Sequence, residues 1–266
     1  MSRDPSLPSD IDMRAFLLRF IQDPKHPDGI TVPPENQREF LMLFGLIQRV
    51  RRLTQAYLRL ERDGFLSEGS VLVRAALEHA VIAQWAYLTP GGIDRLHVSL
   101  AIAQADVAKS MMAYSKDPEW VTLEQHLRGL VPPGAALPKF SGKDAMMTEL
   151  DSIKFLAASY RVLSQVGHVT HQAALDFVTE DQGVVRLRTN PESMEQDHLL
   201  YALCGFCMLV AWLHARLEAD EEEVLRLKEM SVRLHLPWRL DTHMPRDRRR
   251  FPDEDNDDSA ASEQVD

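Results

Sequence analysis

Cysteine is nearly absent from this 266-residue chain, which holds only Cys204 and Cys207. A fold stapled by disulfides is excluded, and a reducing, cytoplasmic setting is expected. The pair has the Cys-Gly-Phe-Cys spacing of redox dithiols. Redox pairs of that kind sit at a helix N-terminus after a strand, where the thiolate is stabilised. Here the pair lies inside the apolar run LLYALCGFCMLVAWL, so two small buried side chains are expected instead.

An excess of positive charge is also lacking. The formal net charge is −10, and seven acidic residues with no basic ones stand between Pro252 and Asp266, which leaves −3 for the rest. A dedicated nucleic-acid binder would show the opposite balance. Long hydrophobic runs are missing too. The longest, Leu199–Leu213, is followed at once by His214 and Arg216, and it is shorter than the ~20 residues that span a bilayer. No membrane association is expected. The opening MSRDPSLPSDIDMR has no apolar stretch of the kind that makes a secretory signal. Walker loops, Gly-rich dinucleotide loops, nucleophile elbows and HExxH are absent, so no cofactor and none of the common enzyme classes is indicated.

What is present is the composition of an ordinary globular protein, 45% hydrophobic and 26% charged. Apolar residues recur at helical spacing over Ile11–Gln22, Glu35–Glu61, Ser67–Leu88, Ile93–Ser115, Glu119–Arg128 and Lys143–Val166. A last helix is expected from Ser193 to Ala219, continuing to Leu234. In the second of these, Leu43, Leu46, Val50, Leu53, Tyr57 and Leu60 form a seam for an antiparallel neighbour, and Arg51, Arg52, Arg59 and Arg62 read as a solvated outer stripe. Ser141 with Asp144 resembles a capping box. Between Ala174 and Thr189 the β-branched residues flanking Asp-Gln-Gly suggest a small hairpin. The expected fold is mainly all-α: a single domain over residues 1–245, built as a bundle of roughly six to eight helices with a hairpin near 174–189. Residues 246–266, Arg-rich and then acidic, are expected to be a disordered tail.

One helix carries polar groups where apolar ones belong. In VLVRAALEHAVIAQWAYL, Arg74 and Glu78 lie one turn apart, and with Ser67, Ser70 and Trp85 they share a sector of about 80°. A buried Arg and Glu need partners. The segment SYRVLSQVGHVTHQ offers Tyr160, Ser164, His168 and His171, which on one helix would share a similar sector. Together the two faces could bind a small anionic ligand or move a proton. They could equally form a polar network that fixes helix pairing. His168-x-x-His171 with Glu78 is too sparse a set to indicate a metal site.

Arg74-x-x-x-Glu78 followed by Tyr160-x-x-x-Ser164-x-x-x-His168 resembles a bacterial all-helical family of unknown function, over about Phe40 to Trp212. That resemblance implies a helical bundle and no particular activity. A second resemblance is to HEPN ribonucleases, helical bundles marked by Arg-x(4–6)-His that cleave RNA without metal, usually across a dimer interface. Two stretches match, Arg74–His79 and Arg161–His168. On a regular helix the first pair points about 140° apart and the second about 20°, so Arg161 and His168 are the candidate catalytic residues under that resemblance. His168 would then be the general base, and Arg161 or Arg74 would stabilise the phosphorane. The readings carried forward are a ligand or structural cluster (Arg74, Glu78, Tyr160, Ser164, His168, His171), a HEPN-like ribonuclease acting on RNA, and a homodimeric interaction module whose acidic tail meets a protein partner.

Overall fold

A computed structural model describes residues 8–22, 30–133, 143–151, 154–167, 177–181, 183–187 and 196–240. In chain order the elements are α1 (Asp10–Gln22), a 3-10 turn (Pro34–Asn36), α2 (Gln37–Arg62), α3 (Leu66–Leu88), α4 (Gly92–Ser115), α5 (Glu119–Gly129), α6 (Lys143–Leu150), α7 (Phe155–Gly167), β1 (Val178–Asp181), β2 (Val184–Leu187), α8 (Gln196–Glu218) and α9 (Glu221–Leu234). The fold is mainly α-helical, as expected. The strands pair antiparallel, Val178 opposite Leu187 and Asp181 opposite Val184, with Gly183 supplying the positive φ of the turn.

The described residues contain nine α-helices, more than the six to eight expected, because two expected helices are each broken once. The first break follows Leu150. Asp151 is buried and accepts the Leu156 N–H, while Lys154 takes a left-handed φ of 61°. The second follows Glu218. Ala219 adopts a φ of 56°, the Asp220 N–H returns to the Ala215 carbonyl, and the Asp220 side chain then caps α9 by accepting the Glu223 N–H at 2.9 Å. A left-handed residue followed by an N-cap stops one helix and starts the next without glycine.

Two compact units are formed, residues 1–84 with 146–243, and residues 85–145 with 244–266. In the first, α8 is the central helix, packed by α1, α2 and α9. Among the described residues it is the one helix long and apolar enough to cross a membrane, and 78% of that stretch is buried inside the fold. Its Leu203, Phe206, Leu209, Val210 and Leu213 meet a core that includes Met13, Phe16 and Leu17 of α1 and Leu43, Ile47, Val50 and Tyr57 of α2. Gly205 is required here. A Cβ at that position would stand 2.5 Å from Cζ of Phe155, so the bare backbone is what lets the α7 ring lie on α8. Gln84 ties α3 to the same helix, donating to the Leu209 carbonyl at 2.7 Å.

Cys204 and Cys207 are both buried on α8, as the apolar context implied. Cys207 lies 3.2 Å from the Thr54 hydroxyl, and burial pushes its thiol up to about 12. Burial also drives the Cys204 thiol well above its ordinary value. Neither has the depressed pKa of a redox dithiol. The seam of α2 departs from expectation in register. Its buried line is Leu43, Ile47, Val50, Thr54, Tyr57 and Glu61, while Leu46, Leu53 and Leu60 are half-buried. Two polar members are tolerated because each is bonded: Thr54 to the Val50 carbonyl, and Glu61 to Arg14 of α1.

In the second unit α4 packs on α5. Arg128 of α5 bridges Asp106 of α4 at 3.0 Å and Glu124 of its own helix. At the start of α4, a Cβ on Gly92 would come within 2.4 Å of the Ala86 carbonyl oxygen, so the tight Thr89–Gly92 turn admits only glycine there.

Candidate functional site

The expected polar cluster forms in part. Arg74 of α3 donates through Nη2 to the Tyr160 hydroxyl of α7 at 3.2 Å, and its guanidinium carbon lies 5.1 Å from the centre of that ring. Its Nε is 3.6 Å from the Glu78 carboxylate one turn along. Arg74 is therefore a clasp between α3 and α7, holding a ring by charge–quadrupole attraction and a hydroxyl by a hydrogen bond. The pair is not buried as the apolar helix implied: the side chains of Arg74 and Glu78 remain 15% and 24% exposed. The cluster sits at the rim of the interface, where a guanidinium keeps part of its hydration.

Ser164 shares α7 with Tyr160, but its hydroxyl donates to the Tyr160 carbonyl at 2.6 Å, a bond within its own helix. Arg161 is exposed on α7. His168 and His171 lie outside the described residues, and so do the pairing of Arg161 with His168 and the acidic tail. In the other matching pair, Nδ1 of His79 is 2.7 Å from the Ala75 carbonyl and must donate its proton there, which leaves Nε2 as the accepting nitrogen. Among the described residues no three His, Cys, Asp or Glu side chains are placed to hold a metal.

A second polar assembly lies in the first unit, in a shallow recess between α1, α2, α8 and α9 whose enclosed space is about 30 Å³, room for one or two waters. Its lining includes Phe16, Arg19 and Phe20 of α1, Arg51 of α2, Ala211, His214, Ala215 and Glu218 of α8, and Glu223 and Arg226 of α9. The recess exists because α8 places alanine at 211 and 215, on the same side as His214 and Glu218. Larger residues at those two positions would fill it.

The charged groups of the recess hold one another, within a helix or across two. Arg51 is half-buried, not on a solvated stripe as its neighbours suggested; Arg52, Arg59 and Arg62 are the exposed ones. Its guanidinium lies 5.4 Å over the Phe20 ring and its Nη2 is 3.5 Å from Nδ1 of His214. A guanidinium only donates, so Nδ1 accepts and the imidazole carries its proton on Nε2. That Nε2 faces Glu218 at 3.4 Å, both side chains being 7% exposed. The imidazole is flanked by the rings of Phe40 and Phe44, with centres 6.2 and 5.9 Å away. On α9, Arg226 grips Glu223 with Nε at 2.7 Å and with Nη2 on the other oxygen, and Arg19 reaches the same carboxylate at 4.0 Å.

No protein-family model, curated protein or solved structure matches the chain.

The recess must therefore be judged by its chemistry. Three guanidiniums, two carboxylates and an imidazole share its lining. Both ring nitrogens of His214 face protein groups, which suits it to positioning Arg51 better than to proton transfer with a ligand. The wall formed by α1 is fixed from behind. Arg14 makes a two-pronged contact with Glu61 of α2, at 2.7 and 2.9 Å, and a further one with Asp10 at 2.8 Å. That pairing, led by the bond to Glu61, raises the Arg14 pKa further above its ordinary value. The nearby Tyr57 phenol is pushed up by burial first and by Glu61 second. The sequence held one visible signal for the recess: Ala-x-x-His-Ala-x-x-Glu, a small and polar face in an otherwise apolar helix.

Proposed function

We propose that the chain is a binding protein for a small oxyanion-bearing ligand, taken up in the recess between α1, α2, α8 and α9. The observation that supports this is the convergence of guanidiniums from three separate helices, Arg19, Arg51 and Arg226, on one concave surface with aromatic walls. Arginine forks match oxyanions geometrically, and a concave surface with a few convergent polar groups is the usual setting of a small-ligand site. The Arg74–Tyr160–Glu78 cluster takes the structural part in this reading, as the clasp of α3 to α7. Ribonuclease action by Arg161 and His168 has the exposure of Arg161 in its favour, and RNA cleavage in EDTA lost in His168→Ala is its test.

The oxyanion reading is tested by thermal melting and calorimetry of the whole chain with acetate, benzoate, phosphate and sulfate at constant ionic strength. Binding of at least one of these, lost in Arg51→Met and retained in Arg161→Ala, is the expected result. A ligand at about 100 times its Kd stabilises the folded state by roughly 2.7 kcal/mol, which is readily seen as a rise in Tm. Melting curves unmoved by all four anions would refute the reading.

A further inference from the structure

We propose that the hairpin of α4 and α5 is a docking face for a second copy of this chain, joined about a two-fold axis that passes beside Val107. The face shares no residue with the recess.

The first argument is an apolar surface left open. Along α4, Leu100, Ala103, Val107, Met111 and Tyr114 recur three and four residues apart, so they form one stripe. Val107 is 61% and Tyr114 85% exposed, and Leu100 and Ala103 are exposed with them. On α5, Leu123 and Leu130 are exposed too. The Arg128–Asp106 bridge ties the two helices on one side of the hairpin. On regular helices Leu123 and Leu130 lie roughly 140–160° round α5 from Arg128, and Leu100, Val107 and Met111 roughly 100–140° round α4 from Asp106. The two sets therefore lie together, on the side away from that bridge.

Charge is depleted there. Between Val98 and Ser115 the charged residues of α4 are Asp106 and Lys109 alone, and both project roughly 100° or more from the stripe. An apolar patch with aromatic and Met residues and few charges has the composition of an interface core.

Symmetry identifies the occupant. A two-fold interface sets the same surface on both sides, so the face must complement itself. Two copies of α4 laid antiparallel about Val107 set Leu100 against Tyr114, Ala103 against Met111 and Gln104 against Ser110. Apolar meets apolar, small meets large, and amide meets hydroxyl. At the ends of the stripe, exposed His97 falls opposite exposed Asp117, an imidazole against a carboxylate. The bridge sets Arg128 level with Asp106, so the same axis carries Leu123 toward the second copy's Leu130. A different protein would give the face no reason to match itself about its own centre.

Size sets the strength. Two helices about 22 Å long and 10 Å wide offer roughly 450 Å² per copy, or about 900 Å² for the pair. That is close to the ~1,000 Å² of a specific interface, so a reversible dimer is expected.

The experiment is sedimentation equilibrium of the full chain from about 1 to 200 μM. Wild type is expected to pass from monomer toward dimer over that range. Val107→Glu sets two carboxylates against each other on the axis and is expected to weaken the dimer at least about tenfold, with helical circular dichroism retained. Lys109→Glu, on another side of α4, is expected to leave association unchanged. Mild oxidation of Val107→Cys is expected to give a disulfide-linked dimer, the buried Cys204 and Cys207 staying reduced. Leu100→Cys, whose two copies would stand two turns either side of the axis, is expected to give none. A wild type that stays monomeric at the highest concentration would overturn the proposal and leave the face to a different partner. Undiminished association of Val107→Glu would overturn the assignment of this face, and equal cross-linking of Leu100→Cys and Val107→Cys would overturn the antiparallel pairing.

Discussion

Removing the guanidinium of Arg14 should damage the protein far more than its surface position suggests. Arg14 is a third exposed, yet its partner Glu61 is only 3% exposed, beside the fully buried Tyr57 ring. In Arg14→Met the two charge-assisted bonds at 2.7 and 2.9 Å disappear, and a carboxylate is left in the α1–α2 interface without its counter-ion. Breaking one side of such a pair costs about 3–5 kcal/mol. The exposure of Arg14 places this case near 3 kcal/mol. Against a total of roughly 5–15 kcal/mol for a domain, that is a large fraction.

The reverse substitution should be milder. Glu61→Gln keeps the shape and one hydrogen-bond acceptor, and Arg14 retains Asp10 at 2.8 Å and access to water, so about 1–2 kcal/mol is expected. Replacing both partners, Arg14→Met with Glu61→Met, should recover most of the loss, because an apolar pair has no charge left to desolvate. Urea unfolding of the four proteins, followed by circular dichroism, measures all three differences from wild type. A cost below 1 kcal/mol for Arg14→Met, or a double variant no more stable than Arg14→Met, would refute the reasoning. Because α1 carries Phe16, Arg19 and Phe20, Arg14→Met should also weaken benzoate binding without touching the recess.

Three further outcomes are expected. Gly205→Ala forces a methyl to within 2.5 Å of the Phe155 ring and should destabilise by about 1–3 kcal/mol, with partial recovery in Gly205→Ala/Phe155→Leu; equal stability of wild type and Gly205→Ala would show that α7 does not rest on that glycine. The buried thiols predict alkaline weakening: their folded pKa values lie above the ordinary 9.0, so the stability they confer is intact below pH 9 and is lost as pH rises toward 12. Each thiol steepens the fall by about 1.4 kcal/mol per pH unit in that window, and a Cys204→Ala/Cys207→Ala variant whose urea midpoint falls as steeply as wild type from pH 9 to 10.5 would contradict this. Arg74→Met should cost about 1–2 kcal/mol through loss of the Tyr160 contacts and leave benzoate binding unchanged, whereas abolished binding at constant stability would move the site to the α3–α7 clasp.

Much of the fold could be read from periodicity, because long amphipathic or wholly apolar runs have few other solutions. The 199–213 run does become the central helix, and its cysteines do become core atoms. Two helix breaks were hidden for a shared reason. Neither is marked by glycine or proline; each depends on a non-glycine residue in the left-handed region, Lys154 or Ala219, held there by a nearby aspartate. Local propensity favours continuing both helices, and only tertiary packing decides against it. The α2 register was misread for a related reason: Thr54 and Glu61 look like surface residues, but bonds to the Val50 carbonyl and to Arg14 allow them inside.

The two polar assemblies differ in how far the sequence could disclose them. Arg74 with Glu78, and Tyr160 with Ser164, each recur one turn apart on a single helix, so helical spacing alone is enough to expose them. The recess has a fainter signature, the Ala-x-x-His-Ala-x-x-Glu face of α8. Arg19, Arg51, His214 and Arg226 come from four helices, and each is, taken singly, an ordinary polar residue on an amphipathic face. Charge patterning along α2 assigned Arg51 to solvent with Arg52, Arg59 and Arg62. The structure separates it from them because Phe20 on α1 offers its ring and His214 on α8 offers an acceptor. Two of the three alanines of α8 carry the decisive information. Small residues elsewhere on this helix are packed over, as Gly205 is by Phe155, whereas Ala211 and Ala215 leave space beside His214 and Glu218. That coincidence of a gap with charge is what favours the recess over the α3–α7 clasp in the oxyanion reading. The same logic makes Ala211→Leu a sharper probe than any charge removal, since it closes the space while every arginine stays in place.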